Sequence, residues 1–154
     1  MKKHIFAVHE KIKNNNCSCK NKDKCPLKNE CEVEPPGIVY EAEVKSFSKE
    51  NEPVKVRKYI GGTSLKFKRR FYVHSFSFKK NQQKGSTVLS RYIRQLENSN
   101  IKYKISWTIK SRCQIFNSTA KCDICETEKK IIDKTDSEVL LNETNKIKCM
   151  HKKR

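Results

Sequence analysis

The stretch that decides the fold runs from Gly37 to His74 and reads GIVYEAEVKSFSKENEPVKVRKYIGGTSLKFKRRFYVH. Apolar and polar residues alternate over 38–45 and again over 54–57, which is the period of half-buried β-strands. The residues between the two runs, 46–53, are mostly polar. The two runs are therefore predicted to form an antiparallel hairpin with a longer loop.

A helix is predicted to follow the second strand. Gly61-Gly62 is expected to turn the backbone tightly, because glycine has no Cβ to restrict it. Thr63 or Ser64 can accept a hydrogen bond from an orphan amide, so the helix is expected to begin near one of them. Arg70 and His74 lie four positions apart on this helix and therefore share one face.

The next part of the chain is predicted to add a helix and a strand. Ser86 can cap the helix, on which five apolar residues recur at helical spacing: Val88, Leu89, Tyr92, Ile93 and Leu96. Residues 101–110 alternate throughout, and 111–121 have no periodicity and are predicted to loop over the surface. The expected fold class is α+β, with a small three-stranded antiparallel sheet flanked by helices, one sheet face packed and the other partly solvated.

A last helix is predicted over 122–133, where Glu128 falls on the same side as Ile124 and Ile132. A buried carboxylate is unfavourable unless it is paired or bound to a cation. Glu128 is therefore a better candidate for a metal ligand than Glu126, which points elsewhere. A salt bridge between Glu128 and one of the many lysines is the alternative.

The charge balance favours a polyanion as partner. The 154 residues include 35 Lys and Arg against 17 Asp and Glu, a formal net charge of +18, and neutralised phosphates release counterions on binding. A lysine-rich source proteome is the alternative origin of this charge. No apolar run approaches the ~20 residues of a membrane span, and the first residues do not have the pattern of a signal peptide. An intracellular protein with a polyanion rather than a membrane as partner is expected.

Residues 1–36 are predicted to form a Cys-rich segment that precedes a domain over 37–154 with a basic tail. Four cysteines lie in otherwise polar sequence: Cys17, Cys19, Cys25 and Cys31. Four thiolates can hold one tetrahedral zinc ion, and a chain without a secretion signal is expected to use metal rather than disulfides. The spacing is not that of a standard zinc finger, so a loosely tethered reduced segment is the alternative.

A second set of four candidate zinc ligands brackets the predicted glutamate helix: Cys122, Cys125, Cys149 and His151. A zinc ion held by these residues would tie the chain end to that helix. Reduced, buried thiols are the alternative, because a Cys-x-His second half is uncommon in structural zinc sites.

Five landmarks in order along the chain resemble those of the GIY-YIG nuclease domain. Gly37-Ile38-Val39-Tyr40 stands for the first motif with one residue inserted, and Tyr59-Ile60-Gly61 matches the second as written. Residues 63–74 are similar to the helix that carries the family's arginine, and 122–129 to the helix that carries its metal-binding glutamate. Leu140-Leu141-Asn142 resembles the family's asparagine motif.

The most similar subgroup is the endonuclease of Penelope-like retroelements, which shares a Cys-Pro-Leu run, an Ile-Ser-Trp strand and a Cys-x-His ending with this chain. The resemblance implies a metal-dependent DNA endonuclease that uses Mg²⁺ or Mn²⁺, with Zn²⁺ as a further candidate cofactor. It also implies nicking of target DNA in the nucleus for target-primed reverse transcription, with a linked or partner reverse transcriptase and element RNA as partners. A non-catalytic, zinc-dependent nucleic-acid-binding module is the alternative function.

The resemblance and the needs of phosphodiester cleavage together assign roles to six residues. Tyr40 is expected to act as general base, directly or through a water, provided that nearby cations lower its pKa. Tyr59 is expected to position that water or the phosphate, and His74 to assist proton transfer.

The remaining three residues would bind the phosphate, the metal and a further ligand. The planar guanidinium of Arg70 suits two phosphate oxygens. Glu128 is expected to bind one hard divalent cation, with Mg²⁺ as the first candidate. Asn142 is expected to hold a ligand or a water by hydrogen bonds.

Overall fold

The computed structural model describes residues 19–27, 37–79, 87–113 and 122–142. Its main elements form a three-stranded antiparallel sheet with three helices, which confirms the predicted α+β class. A short 3₁₀ helix, Lys22–Lys24, precedes them. In chain order the elements are β1 (Gly37–Phe47), β2 (Pro53–Thr63), α1 (Phe67–Ser77), α2 (Val88–Asn98), β3 (Lys102–Cys113) and α3 (Asp123–Lys134).

The strands are ordered β2-β1-β3, so β1 is central. Tyr40 lies opposite Gly61 on β2 and Ile109 on β3. The prediction of a tight turn at Gly61-Gly62 is wrong, because β2 continues through both glycines to Thr63. The surface loop predicted from residue 111 is also wrong over 111–113, which belong to β3. The rest of that loop, 114–121, lies outside the described residues.

Helix α1 begins later than the sequence predicts. Its N-cap is Lys66 and no side chain caps it, because Thr63 is still paired with Ile38 in the sheet. The Thr63 hydroxyl instead accepts a hydrogen bond from the Leu65 amide at 3.1 Å. Thr87 caps α2 by accepting from the Ser90 amide, whereas the predicted cap, Ser86, lies outside the described residues.

Helices cover both faces of the sheet. On one face, apolar residues of β1 pack against α1 and α2, in clusters that contain Tyr40 with Phe67 and Val44 with Leu89. On the other face, α3 covers only the end near Val39. The rest of this face is open to solvent, so the prediction of a partly solvated second face is confirmed. The position of α3 on that face was not predicted.

The solvated part of the second face carries ion pairs. Lys58 Nζ lies 3.6 Å from Glu41 Oε1, and Lys110 Nζ lies 3.6 Å from Glu41 Oε2. These ion pairs keep the part of the second face around Glu41 polar. Apolar packing on this face is found around Val39.

The described part of the Cys-rich segment contributes to the main core. Cys25 and Leu27 are buried and pack with Ile38 and Tyr40. The domain boundary was predicted between residues 36 and 37. Residues 28–36, on its N-terminal side, lie outside the described part of the chain. Within the described residues, no helix is both long enough and apolar enough to cross a membrane.

Candidate active site

A hydrogen-bonded triad lies between the central strand and α1. Tyr40 Oη is 2.7 Å from His74 Nε2, and Arg70 Nε donates to the same phenol oxygen at 3.2 Å. Because Arg70 already donates to this oxygen, we assign the phenol proton to the hydrogen bond with His74. Nε2 then accepts, and the imidazole carries its own proton on Nδ1.

The imidazole of His74 is held in its neutral form. The side chain is 0% exposed, and burial, with the charge of Arg70 in second place, lowers the pKa of His74 to about 3. Its Nδ1 has no hydrogen-bond partner among the described residues. We therefore assign His74 as a neutral ring whose Nε2 accepts the phenol proton.

The phenol of Tyr40 is likewise held in its neutral form. Burial raises the pKa of Tyr40 well above its usual value; Tyr59 and Glu128 add to this effect, while Arg70 opposes it. The expectation that nearby cations lower this pKa is therefore wrong for the unliganded protein, because the loss of solvation outweighs the single guanidinium. Tyr40 is a proton donor at neutral pH.

Arg70 lies near both tyrosines. Besides its hydrogen bond to Tyr40, its charge opposes the rise in the pKa of Tyr59, which is due mainly to burial. The rings of Tyr59 and His74 lie 5.6 Å apart. Trp107 on β3 packs against the triad, with its ring 5.4 Å from that of His74 and 5.9 Å from that of Tyr40. Sequence reasoning assigned Trp107 only to a strand.

The two glycines of β2 make room for groups that reach the strand from opposite faces. A Cβ at Gly61 would lie 2.5 Å from Tyr40 Oη, and a Cβ at Gly62 would lie 2.8 Å from Glu128 Oε2. Successive residues of a strand point to opposite faces, so Tyr40 and Glu128 meet at this edge strand from the two sides. Close approach, rather than a turn, is what requires glycine here.

The carboxyl group of Glu128 is poorly solvated. Burial raises the pKa of Glu128 to about 7, and the charge of Arg70 opposes this shift. The group is a hard oxygen donor whose charged form is disfavoured by the protein alone, and a divalent cation would favour it. The donor set therefore fits Mg²⁺, which is held by one or two protein carboxylates and keeps several waters.

A short segment near residue 140 pairs with the outer edge of β2. The Lys58 amide donates to the Val139 carbonyl and the Leu141 amide donates to the Lys58 carbonyl, both at 2.7 Å. The Asn142 carboxamide accepts from the Ile60 amide at 2.8 Å and donates to the Ile60 carbonyl at 2.7 Å. We call residues 139–142 the edge segment.

The edge segment changes the interpretation of Asn142. Both ends of its carboxamide bind the Ile60 backbone, next to Tyr59, so Asn142 anchors the strand that carries the site. Its predicted role in holding a ligand or a water stays a prediction. By strand alternation, the N–H and C=O of Gly62 point to this same edge, beyond Asn142 and beside Glu128.

The structure thus brings together five of the six residues predicted to act in catalysis and places the sixth nearby. Tyr40, Tyr59, Arg70, His74 and Glu128 surround Gly61-Gly62. The hairpin register sets Gly61 opposite Tyr40 and Gly62 opposite Val39, and this register is the sequence signal that could have identified the role of Gly61.

The two cysteine sets are only partly described. Cys19 and Cys25 lie in or against the Tyr40 cluster, and Cys122 and Cys125 lie at the start of α3. Their predicted co-ligands, Cys17, Cys31, Cys149 and His151, lie outside the described residues. In the ranges that the structure describes, no three His, Cys, Asp or Glu side chains are grouped so as to hold a metal ion.

The free energy of unfolding is expected to depend on pH through two groups of opposite sign. The pKa of His74 falls from 6.5 to about 3 on folding. Its contribution to the free energy of unfolding is therefore complete above about pH 6.5. Below that pH the contribution decreases by at most ~1.4 kcal/mol per pH unit. The pKa of Glu128 rises from 4.5 to about 7, so its contribution is complete below about pH 4.5 and is lost as pH rises through 7. Between these limits the two effects offset one another.

Urea unfolding of wild type and Glu128→Gln at pH 5 and pH 7 measures this offset. The variant lacks the opposing group, so it should lose more stability than wild type between pH 7 and pH 5, by about 1 kcal/mol or more. Glu126→Gln, an exposed change on the same helix, should follow wild type. If the free energy of unfolding changes by the same amount between pH 7 and pH 5 in wild type and in Glu128→Gln, the Glu128 carboxyl is not buried.

Comparison of the chain with known protein families, with curated proteins and with solved structures gave no significant match.

Proposed function

We propose that the chain is a DNA endonuclease that hydrolyses phosphodiester bonds with one divalent cation, Mg²⁺ or Mn²⁺. The observation that carries the proposal is the meeting of the Tyr40–Arg70–His74 triad with the Glu128 carboxyl across two glycines of an edge strand. The formal net charge of +18 supports a polyanionic substrate.

Arg70 has the geometry to bind the scissile phosphate. Its Nε donates to Tyr40 Oη, and this bond holds the guanidinium beside the triad. Arginine has five N–H donors, so other donors remain for phosphate oxygens. Stabilising the charge that develops on phosphorus oxygens is the largest single contribution that such a group makes.

The triad offers a route for the proton of the attacking water. In the proposed relay, a water that substrate binding admits to the buried Tyr40 Oη gives it a proton while the phenol proton moves to His74 Nε2, so Tyr40 ends neutral and His74 ends as imidazolium. His74 is a weak base in the free protein, but a bound phosphate partly cancels the charge of Arg70 and raises the pKa of His74. This relay replaces the phenolate base that the sequence analysis predicted.

Glu128 would hold the divalent cation. When bound, the cation supplies a Lewis acid that stabilises charge on the phosphate and the leaving oxygen. Gly62 leaves room for the carboxylate and for Ile124, because a Cβ there would lie 2.8 Å from Glu128 Oε2 and 2.6 Å from Ile124 Cγ2. Asn142 keeps the strand in register by bonding Ile60.

The biological setting is proposed from the sequence resemblance to Penelope-like endonucleases. In that setting the chain nicks target DNA in the nucleus, and a linked or partner reverse transcriptase uses the new 3′ end to copy element RNA. Zinc in the two cysteine sets belongs to the same proposal. The second candidate function, nucleic-acid binding without cleavage, is favoured by the charge alone.

A plasmid-nicking assay tests the proposed function. Supercoiled DNA should be converted to the open circle with Mg²⁺ or Mn²⁺ and should stay intact with EDTA, because the carboxylate alone cannot stabilise the transition state. Thermal unfolding supplies a second readout, since Mg²⁺ should raise the melting temperature of wild type and not of Glu128→Gln. DNA binding without nicking under any metal would favour the second function.

A further inference from the structure

The outer face of α1 carries a row of side chains that the proposed active site does not use. Arg69, Tyr72, Val73 and Phe76 are spaced i, i+3, i+4 and i+7, so they lie on one face of the helix. Tyr72 is 63% exposed, Val73 52% and Phe76 53%. We call these four residues the outer stripe. Tyr72, Val73 and Phe76 are three of the six exposed large hydrophobic residues in the described part of the chain.

The segment of chain that carries the outer stripe is basic in sequence. Residues 65–79 contain five Lys and Arg residues and neither Asp nor Glu: Lys66, Lys68, Arg69, Arg70 and Lys79. Lys79 Nζ lies 5.5 Å from the ring centroid of Phe76. A second copy of the chain would bring the same positive charges against this face, whereas nucleic acid would bring phosphates. Charge complementarity therefore identifies the partner as a polyanion.

The exposed rings indicate which form of nucleic acid fits. Tyr72 and Phe76 are one turn apart, about 6 Å along the helix axis, and both offer ring surface to solvent. Unpaired bases stack on such rings and gain ~1–3 kcal/mol each, whereas a duplex keeps its base faces inside. Aromatic rings interleaved with basic side chains therefore fit a strand with unpaired bases.

The outer stripe lies on the same helix as the phosphate-binding group of the proposed site. Arg70 and His74 face the core from α1 and bond Tyr40, while Tyr72 and Phe76 face outward. A strand whose phosphate lies at Arg70 can continue around the helix onto the stripe within a few nucleotides.

We propose that the outer stripe binds unpaired nucleotides that flank the scissile phosphate. Bases stack on Tyr72 and Phe76, and phosphates bind Arg69 and Lys79. The preferred substrate is then DNA in which a duplex adjoins a single-stranded segment. This proposal rests on the proposed nuclease function.

Fluorescence anisotropy in EDTA tests the binding step without cleavage. The probes are a labelled oligothymidylate, a blunt duplex and the same duplex with a single-stranded tail. Tyr72→Ala/Phe76→Ala should bind the oligothymidylate and the tailed duplex at least ~10-fold more weakly, on the scale of one lost stacking contact, and should bind the blunt duplex within about twofold of wild type. The control, Val54→Ala, removes an exposed apolar side chain from β2, outside the stripe, and should behave as wild type.

Phe76→Trp supplies a positive readout. The larger ring should keep or strengthen binding to the oligothymidylate, and its fluorescence should be quenched on binding, whereas a ring that contacts only phosphate would not be quenched. The natural Trp107, the single tryptophan of the chain, is present in wild type and provides the background signal.

The outcomes separate this proposal from the proposed function. With Mg²⁺, wild type should nick the tailed duplex faster than the blunt one, and Tyr72→Ala/Phe76→Ala should lose that preference while still nicking the blunt duplex. If the double variant loses affinity equally for all three probes, or loses none, the proposal that the outer stripe binds unpaired nucleotides is wrong. The proposed nuclease function is not affected by that result. A wild-type dimer in sedimentation that the double variant abolishes, with DNA affinity unchanged, would show that the stripe binds a second copy and would also overturn the proposal for the outer stripe. Absence of nicking in wild type, with the stacking contacts retained, would count against the nuclease and the placement beside a scissile phosphate.

Discussion

Replacing Glu128 by Gln is expected to lower plasmid nicking at least ~100-fold, on the scale of losing one charge-stabilising group. Gln keeps the shape of the side chain but cannot supply the negative oxygen that a hard divalent cation requires. Burial raises the pKa of Glu128 to about 7, so the charged form is unfavourable in the unliganded fold. The variant should therefore be at least as stable as wild type near pH 8, and its loss of nicking cannot be ascribed to unfolding.

Glu126→Gln is the matched control for this measurement. Glu126 lies two residues away on α3 and is exposed, whereas Glu128 is partly buried beside Gly62. The control should nick at the wild-type rate and show the same Mg²⁺-induced rise in melting temperature. Full activity in a folded Glu128→Gln protein would remove Glu128 from the proposed metal site.

Adding one methyl group at Gly61 is expected to have a similarly large effect. The new Cβ would lie 2.5 Å from Tyr40 Oη and 2.6 Å from the ring carbon that bears it, and Tyr40 is fully buried, so the ring cannot swing away. Gly61→Ala should lose ~1–3 kcal/mol of stability through overpacking. A shift of ~1 Å in a positioned group can lower the rate ~100-fold, so single-turnover nicking should fall by about that factor at a temperature where the variant is folded.

Gly62→Ala distinguishes the two sides of the strand. Its Cβ would press on Glu128 and on Ile124, so this variant should lose the Mg²⁺-induced rise in melting temperature. Gly61→Ala should keep that rise, because the three atoms nearest to its Cβ all belong to Tyr40. If both variants respond to Mg²⁺ as wild type does, the carboxyl does not depend on the space at Gly62.

The elements of the fold follow from local sequence patterns, and their ends do not. Alternation over 101–110 and helical spacing from Val88 to Leu96 are properties of neighbouring residues, so β3 and α2 could be predicted directly. Thr63 has the side chain of a helix cap, but its pairing with Ile38 keeps it in β2, and α1 begins only at Phe67. Tertiary pairing overrides local preference at such boundaries.

The candidate site shows the same division. The resemblance pointed to residues far apart in sequence that the structure places together. The role of Gly61-Gly62 depends on Tyr40 and Glu128 reaching one strand from two faces, and nothing local to the glycines encodes that. The direction of the Tyr40 pKa shift depends on how completely the ring is buried, which a count of nearby cations cannot reveal.

The edge segment also has a consequence for how the chain folds. The bonds between Ile60 and Asn142 join residues 82 positions apart, and such non-local contacts form late because a long loop must close first. Until residues 139–142 are in place, the Lys58 and Ile60 backbone groups that they bond are exposed as an unpaired strand edge, the kind of surface on which chains add to one another and aggregate. During synthesis the β1–β2 hairpin leaves the ribosome well before the edge segment does. Deleting the edge segment should therefore have two effects. It should disturb the geometry of the site, and it should favour self-association through β2.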